Sequence, residues 1–290
     1  MKLSIVIRAR NEAGGLASVF QALRAQRCDF AWEVVVVDNQ STDNTRELCE
    51  EMGAKIVSIA IEDFTYGRAL NLGLRHARGE LVLLLSAHAI PVGAQFLVNA
   101  VAPFEDSAVA AARCLMIGNP DQIANWYCSR NIRYLSKEEQ QAAESGTKWL
   151  GEYPTAGCCV LRRSVWESNP FNEQLEANED KLWASQILAQ GHAIRCCAEA
   201  LWIYARRRSP GAERNRRLRE HVSLFRITGR PPLNWLEFTT LSLRALVAAP
   251  WVAARQAIEK ISWYCCLVSV PMRAKADSKS GSFQEYNQPH

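Results

Sequence analysis

The first third of the chain alternates between two hydrophobic periods. Residues 3–7 (LSIVI), 33–37 (EVVVV), 55–59 and 81–85 (LVLLL) are short runs rich in apolar residues. Runs of this kind predict strands covered on both faces, because a strand with one wet face would alternate apolar and polar residues. Between them the period lengthens. Leu16, Val19, Phe20 and Leu23 recur at helical spacing within 13–26, and 44–52 and 68–77 also read as helices. Asn44, with Glu47 three residues on, reads as a capping pair for the second of them. This alternation predicts an α/β fold with a doubly wound, mostly parallel sheet, which binds ligands at the carboxyl ends of its strands.

Beyond residue 90 the pattern loosens. A helix is expected over 93–103, a strand over 108–113 and a polar stretch with helical character over 120–145. Gly157 to Leu161 reads as a short strand, 179–190 as a helix stopped by Gly191, and 193–204 as one or two strands. From about residue 213 the pattern is helical. Trp235, Trp251 and Trp263 lie among Arg244, Arg255, Glu259 and Lys260, so no uncharged run there is long enough to span a membrane. The expected organisation is an α/β domain over 1–212, an amphipathic helical extension over 213–272 and a polar tail over 273–290. The extension reads either as a surface resting on a membrane or as a helical cap or dimer face.

Composition narrows the choices. Lys and Arg number 34 against 30 Asp and Glu, and a net charge of +4 does not point to nucleic acid. The charge is concentrated. Residues 204–230 hold nine arginines and two glutamates, so the rest of the chain is net acidic. That block suits a diphosphate or an anionic membrane surface. Ten cysteines occur without a C-x-x-C, and no secretory signal opens the chain, so the thiols read as reduced core filler in a cytoplasmic protein.

Four polar constellations fall at strand ends or helix starts. They are Arg8-Ala-Arg10-Asn11-Glu12, Asp38 to Asp43, Ser86-Ala87-His88-Ala89-Ile90-Pro91 after the fourth strand, and Glu176-Ala177-Asn178-Glu179-Asp180 opening a helix. The glycine-rich dinucleotide fingerprint, the P-loop and the nucleophile elbow are all absent. What remains is a nucleotide site built from carboxylates and arginines.

SIVIRARNE, VVVVDNQSTDNT, YGRALNLGLRHARGELVLLLSAHAIP and NEDKLWASQILAQG resemble, in order and spacing, the family 2 glycosyltransferases of GT-A fold, including bacterial rhamnosyltransferase-like members of surface-polysaccharide assembly. The resemblance implies an inverting transfer from a UDP- or dTDP-sugar to a glycan or lipid-linked acceptor, by a protein at the inner face of the cytoplasmic membrane. It places Asn11 and Glu12 near the base and ribose, Arg8 among the nucleotide-sugar contacts, and Asp38 at the base edge. Arg68 and Asn71 would face the nucleotide and sugar. Asp180 would be the catalytic base, with Glu179 orienting it or the acceptor.

Two departures follow. Ser86-Ala87-His88 stands where the family has D-x-D, so a divalent cation, Mn2+ or Mg2+, would find only His88 as ligand; alternatively His88 contacts the diphosphate directly. Near 201–209, where many members carry a histidine, this chain has Tyr204 and Arg206 to Arg208, and Arg206 is a candidate partner for the diphosphate. Two other readings stay open: a non-catalytic nucleotide-sugar-binding partner of the same fold, and a sugar nucleotidyltransferase.

Overall fold

The computed structural model describes residues 1–117, 156–205 and 210–228. The expectations for 120–145, for Arg206 to Arg208, for 235–272 and for the tail lie outside the described residues. The described chain divides into two compact units: Met1–Leu175 with Glu179–Arg207, and Glu176–Asn178 with the chain from Arg208.

In the first unit the chain begins β1 (Leu3–Ala9), α1 (Ala13–Arg24), β2 (Trp32–Asp38), α2 (Thr45–Glu51), β3 (Lys55–Ser58), α3 (Tyr66–His76) and β4 (Leu81–Ser86). It continues through β5 (Ala89–Pro91), α4 (Phe96–Val101), a 3-10 turn (Ala102–Glu105) and β6 (Val109–Ile117). After the undescribed stretch come β7 (Cys158–Arg162), α5 (Arg163–Ser168), α6 (Glu179–Ala189) and β8 (Ala193–Tyr204).

All eight strands form one sheet in the order β3-β2-β1-β4-β7-β6-β8-β5. Its first half, β3-β2-β1-β4, is wholly parallel. β7 then enters antiparallel between β4 and β6, β8 runs parallel to β6, and β5 closes the edge antiparallel to β8. β5 was not legible as a strand; its three residues lie in what read as the third polar loop. Residues 193–204 form one strand, interrupted in register between Cys197 and Leu201 where it pairs with Cys114 and Leu115 of β6.

The apolar runs are buried on both faces, as their composition requires. Leu3, Ile5 and Ile7 meet Leu16, Val19, Phe20 and Leu23 of α1 on one face. Val6, Val82 and Leu84 meet Leu70 and Leu74 of α3 and Trp183 and Ile187 of α6 on the other. Each fully buried aliphatic chain in these layers contributes about 1.5–3 kcal/mol. Helix α3 lies close to the sheet because Gly73 faces it: a Cβ there would stand 2.5 Å from Val6 Cγ1. The seven described cysteines are free thiols, five of them buried.

The second unit is described only in part. Its helix α7 (Pro210–Thr228) buries Val222, with Leu218 and Phe225 against it. Arg226 pairs with Glu176 at 3.1 Å, Asn178 Nδ2 donates to the Glu220 carbonyl at 2.8 Å, and Ser223 Oγ donates to the Ala177 carbonyl. No described helix is long and apolar enough to cross a membrane.

Candidate active site

The sheet register brings the strand ends level. Arg8 lies opposite Val37 on one side and Ser86 on the other, and Ala9 lies opposite Asp38. Two of the predicted loops leave this edge through left-handed backbone, with φ 52° at both Asn11 and Gln40. That conformation is uncommon for residues with a Cβ, so the surrounding contacts must hold it.

They do so by tying one loop to the other. The Asn11 N–H donates to Ser41 Oγ at 3.0 Å, and Asn11 Oδ1 accepts from the Thr42 N–H at 2.8 Å. The Glu12 N–H donates to Thr45 Oγ1 and the Ala13 N–H to Asp43 Oδ2. Asn44 gives no side-chain cap to α2, contrary to the capping pair expected from sequence. Asp43 takes that place, accepting from the Thr45 N–H at 3.1 Å. Burial alone would raise the Asp43 pKa. Hydrogen bonds from the Thr45 hydroxyl and from the Ala13 and Thr45 amides outweigh it and hold the carboxyl below its ordinary value.

Asp38 is 1% exposed, and its carboxylate is engaged by the protein. Oδ2 pairs with Arg46 at 2.9 Å and Oδ1 accepts from the Ser41 N–H at 3.2 Å. Arg46 also donates to Ser58 Oγ, which joins the ends of β2 and β3. The open hydrogen-bonding group is the next residue. Asn39 is 4% exposed, and its buried Oδ1 has no hydrogen-bond partner among the described residues. A buried acceptor left unmade costs about 1–3 kcal/mol, so a donor at this position would be stabilising. Arg46 is not among the residues expected at the site, and Asn39 stands there only as a member of the Asp38 to Asp43 constellation, with no role of its own. For Asn39 the signal was present, as the one amide directly after a strand-end carboxylate.

Arg68 and Asn71 face each other's partners rather than the strand ends. Arg68 pairs with Asp63 at 3.3 Å and Glu173 at 3.4 Å. Asn71 is 2% exposed and has no capacity left. Its Nδ2 donates to the Phe171 carbonyl and to Glu173 Oε1, and its Oδ1 accepts from Trp166 Nε1 and the Phe171 N–H. In this structure Asn71 clamps the 171–173 segment to α3. The bond from Asn71 is the largest of the effects that lower the Glu173 pKa, with Arg75 and Arg68 adding to it against burial.

The turn after β4 is compact. Ser86 Oγ and His88 Nε2 are 2.9 Å apart, and His88 Nδ1 lies 3.8 Å from Glu12 Oε2. The imidazole stands edge-on to Tyr204, with ring centroids 4.8 Å apart. Helix α1 presses on this turn at Gly15, where a Cβ would come within 2.5 Å of the Ala87 carbonyl oxygen.

The two carboxylates of α6 are held differently. Glu179 begins a stripe that continues through Trp183 and Ile187 at four-residue spacing, so it is buried with them, at 4% exposure. Its Oε1 lies 3.6 Å from the Arg8 guanidinium. Arg8 in turn sits 4.8 Å from the Tyr66 ring centroid and donates to the Tyr66 carbonyl at 3.5 Å. Burial, and then the negative charge of Asp180, push the Glu179 carboxyl up to about 7; Arg8 opposes them. Asp180 is half-buried. Its Oδ2 accepts from the Ala156 N–H at 2.7 Å and its Oδ1 from the Lys181 N–H at 2.8 Å. Each oxygen keeps one further lone pair.

Arginine, hydroxyl, imidazole and paired carboxylates thus lie along the carboxyl edge of the parallel half of the sheet. The glycosyl transferase family 2 model matches residues 4–168, more than half of the chain. The chain belongs to the family 2 glycosyltransferases. It is 25% identical over 220 residues to the O-antigen chain rhamnosyltransferase RfbN of Salmonella typhimurium, covering 73% of this chain and 69% of that protein. It is 26% identical over 187 residues to the O-antigen chain rhamnosyltransferase WbaN of Salmonella anatum, covering 62% and 59%. Among solved structures it is similar to the mannosyltransferase PcManGT of Pyrobaculum calidifontis in complex with GDP-Man and Mn2+, at a TM-score of 0.67 and 21% identity, over 96% of this chain and 88% of that one. At that identity the likeness is one of fold, and the fold is GT-A.

The side chains at the β4 turn fit Mn2+ or Mg2+ poorly. These ions take oxygen ligands, carboxylates above all. Here the turn offers a hydroxyl and an imidazole that bond each other, and among the described residues no group of three or more His, Cys, Asp or Glu converges on a metal position.

Proposed function

We propose that this glycosyltransferase moves a sugar from a nucleoside diphosphate sugar to a glycan or lipid-linked glycan acceptor in polysaccharide assembly, with inversion at the anomeric carbon. The observation that carries the reading is the pair Glu179 and Asp180, held against Arg8 at the strand edge. The acceptor hydroxyl attacks the anomeric carbon opposite the leaving diphosphate, and Asp180 takes its proton. Bonds from the Ala156 and Lys181 amides orient that carboxylate and leave lone pairs to receive it. Glu179 and Arg8 pack behind Asp180 and fix the start of α6.

On the donor side, Asn39 is proposed to read the base. Its unmade Oδ1 accepts from a ring N–H on the base edge, the imide N3–H of uracil or thymine or the lactam N1–H of guanine. Asp38 acts through Arg46 to hold the loop rather than touching the base. The similarity to two O-antigen chain rhamnosyltransferases supports a polysaccharide acceptor and a deoxyhexose donor. The arginine-dense stretch within 204–230 supports contact with an anionic lipid surface at the inner face of the cytoplasmic membrane.

The test is transfer from a panel of UDP-, dTDP- and GDP-sugars to lipid-linked glycan acceptors, with the product anomer read by NMR. Asp180→Asn is expected to lower the rate ~10²–10⁴-fold while nucleotide binding stays unchanged. Wild-type rates in that variant would remove Asp180 from the mechanism, and retention at the anomeric carbon would overturn the single displacement. Flotation with anionic and neutral liposomes tests the surface contact; no preference for anionic vesicles would sink it.

A further inference from the structure

The turn after β4 replaces what a hard cation needs with groups that meet phosphate directly. Ser86 is in register with Arg8, so this turn and the Arg8 guanidinium share one short length of the sheet edge. Ser86 Oγ and His88 Nε2 bond at 2.9 Å, and Glu12 lies against the far nitrogen of the ring at 3.8 Å. Edge-on contact with Tyr204 fixes the ring plane. A cation seeking Nε2 would have to break the bond to Ser86 and would gain a single nitrogen ligand. Among the described residues no group of metal-ligating side chains gathers there, and the Glu12 carboxylate faces Nδ1 instead.

Charge leads to the same place. Two carboxylates and a divalent ion sum to zero before the diphosphate arrives. A serine and an imidazole bring no negative charge of their own, with no ion present. The arrangement needs no counter-ion to make the edge acceptable to an anion, and Arg8 adds a fixed positive charge beside it. Adding a divalent ion to Ser86 and His88 would bring charge without ligands to hold it.

We propose that the Ser86–His88 pair meets the diphosphate of the donor directly, through the Ser86 hydroxyl oriented by His88, and that nucleotide binding by this protein requires no divalent cation. The Ser86 hydroxyl donates to a phosphate oxygen while its own oxygen accepts from His88 Nε2–H. Glu12 Oε2 lies 3.8 Å from the opposite nitrogen, and the edge-on Tyr204 ring keeps the imidazole oriented. The proposal rests on the glycosyltransferase reading and says how that site handles its charged leaving group.

Titration calorimetry of the full chain with UDP, dTDP and GDP, each in EDTA and again in excess Mn2+ or Mg2+, tests it. Binding of at least one nucleotide is expected with affinities in the two conditions that agree within about threefold. The double variant Ser86→Asp with His88→Asp is expected to bind about tenfold or more weakly in EDTA and to recover when Mn2+ is added. His88→Asn, with one amide donor retained, is expected to weaken binding equally with and without the ion. Wild-type binding that disappears in EDTA and returns with Mn2+ would overturn the proposal while leaving the donor site intact. No binding of any nucleotide in either condition would overturn the nucleotide-sugar reading, and this proposal with it. A double variant that ignores Mn2+ while circular dichroism shows it folded would count against the assignment of the turn to the diphosphate.

Discussion

Replacing Glu179 by glutamine should make the protein's stability less dependent on pH, in a direction the structure fixes. Glu179 is 4% exposed, and burial, then Asp180, raise its pKa from 4.5 to about 7 against the pull of Arg8. In the unfolded chain the group returns to its ordinary value. Between the two values the folded protein holds a proton that the unfolded chain has released. The contribution of Glu179 to stability is therefore fully present below pH 4.5 and is lost as pH rises through 7. That interval corresponds to about 3 kcal/mol between its two ends. Glutamine has nearly the same shape and no charge at any pH. The stability of Glu179→Gln relative to wild type should thus climb by about 3 kcal/mol as pH goes from 4.5 to above 7. Urea unfolding of both proteins at several pH values across that range measures it. A gap that stays constant across the range would refute the argument, because only the titration of Glu179 distinguishes the two chains there. Arg8→Gln is the complementary probe. It removes the cation that most stabilises the Glu179 anion, ahead of Lys181, so the pH at which stability is lost should move upward.

Three further outcomes are expected. Asn71→Ala strands the Phe171 amide, the Phe171 carbonyl and the Trp166 indole N–H in the interior, and should cost about 4 kcal/mol in urea unfolding; a loss below about 1 kcal/mol would show that the clamp is dispensable. Asn39→Ala should leave stability unchanged or slightly raised, since it removes an unmade buried acceptor, yet weaken nucleotide binding about tenfold. Unaltered binding in calorimetry would return the base contact to another residue. Gly15→Ala drives a methyl group into the Ala87 carbonyl and should destabilise by about 1–3 kcal/mol, with the melting temperature as readout; an unchanged melting temperature would mean that α1 does not seat on that turn.

Much of the fold was legible because local periodicity encodes it. Runs such as Val34–Val37 and Leu81–Leu85 can be satisfied only by burial on both faces, and they become β2 and β4 in the parallel half of the sheet. What resisted reading depended on partners far away in the chain. Nothing in Ala89-Ile90-Pro91 announces a strand, because it becomes one only by pairing with Trp202 to Tyr204. The antiparallel entry of β7 is likewise decided by which strands are neighbours, and no single segment carries that information. The same limit governed the site. Strand ends and helix starts located the constellations, but not which members were already spent. Asp38 looked available and is engaged by Arg46, eight residues away, while Asn39 beside it is open. Asn71 looked like a ligand group and is saturated by residues about a hundred positions on.

The adjacent carboxylates of α6 show how fold geometry assigns roles that composition leaves equal. Consecutive helix positions point about 100° apart, so two neighbouring acids cannot share one environment. Glu179 falls on the stripe of Trp183 and Ile187 and is carried into the core, where it is the member that gives up charge near neutrality. Asp180, one position on, turns out of that stripe and meets the Ala156 amide. Two acids this close resist being charged together, and the burial of Glu179 decides which of them yields. In the proposed mechanism this division matters. Proton removal from an acceptor hydroxyl needs a carboxylate with a free lone pair at a position substrate can reach. Glu179 is enclosed and committed to Arg8, so the task falls to Asp180, whose oxygens are each bound on one side only. Exchanging the two residues, Glu179→Asp with Asp180→Glu, keeps the composition and charge of the pair but moves both carboxylates along their side chains. If position rather than acidity is what counts, that double variant loses activity as fully as Asp180→Asn does.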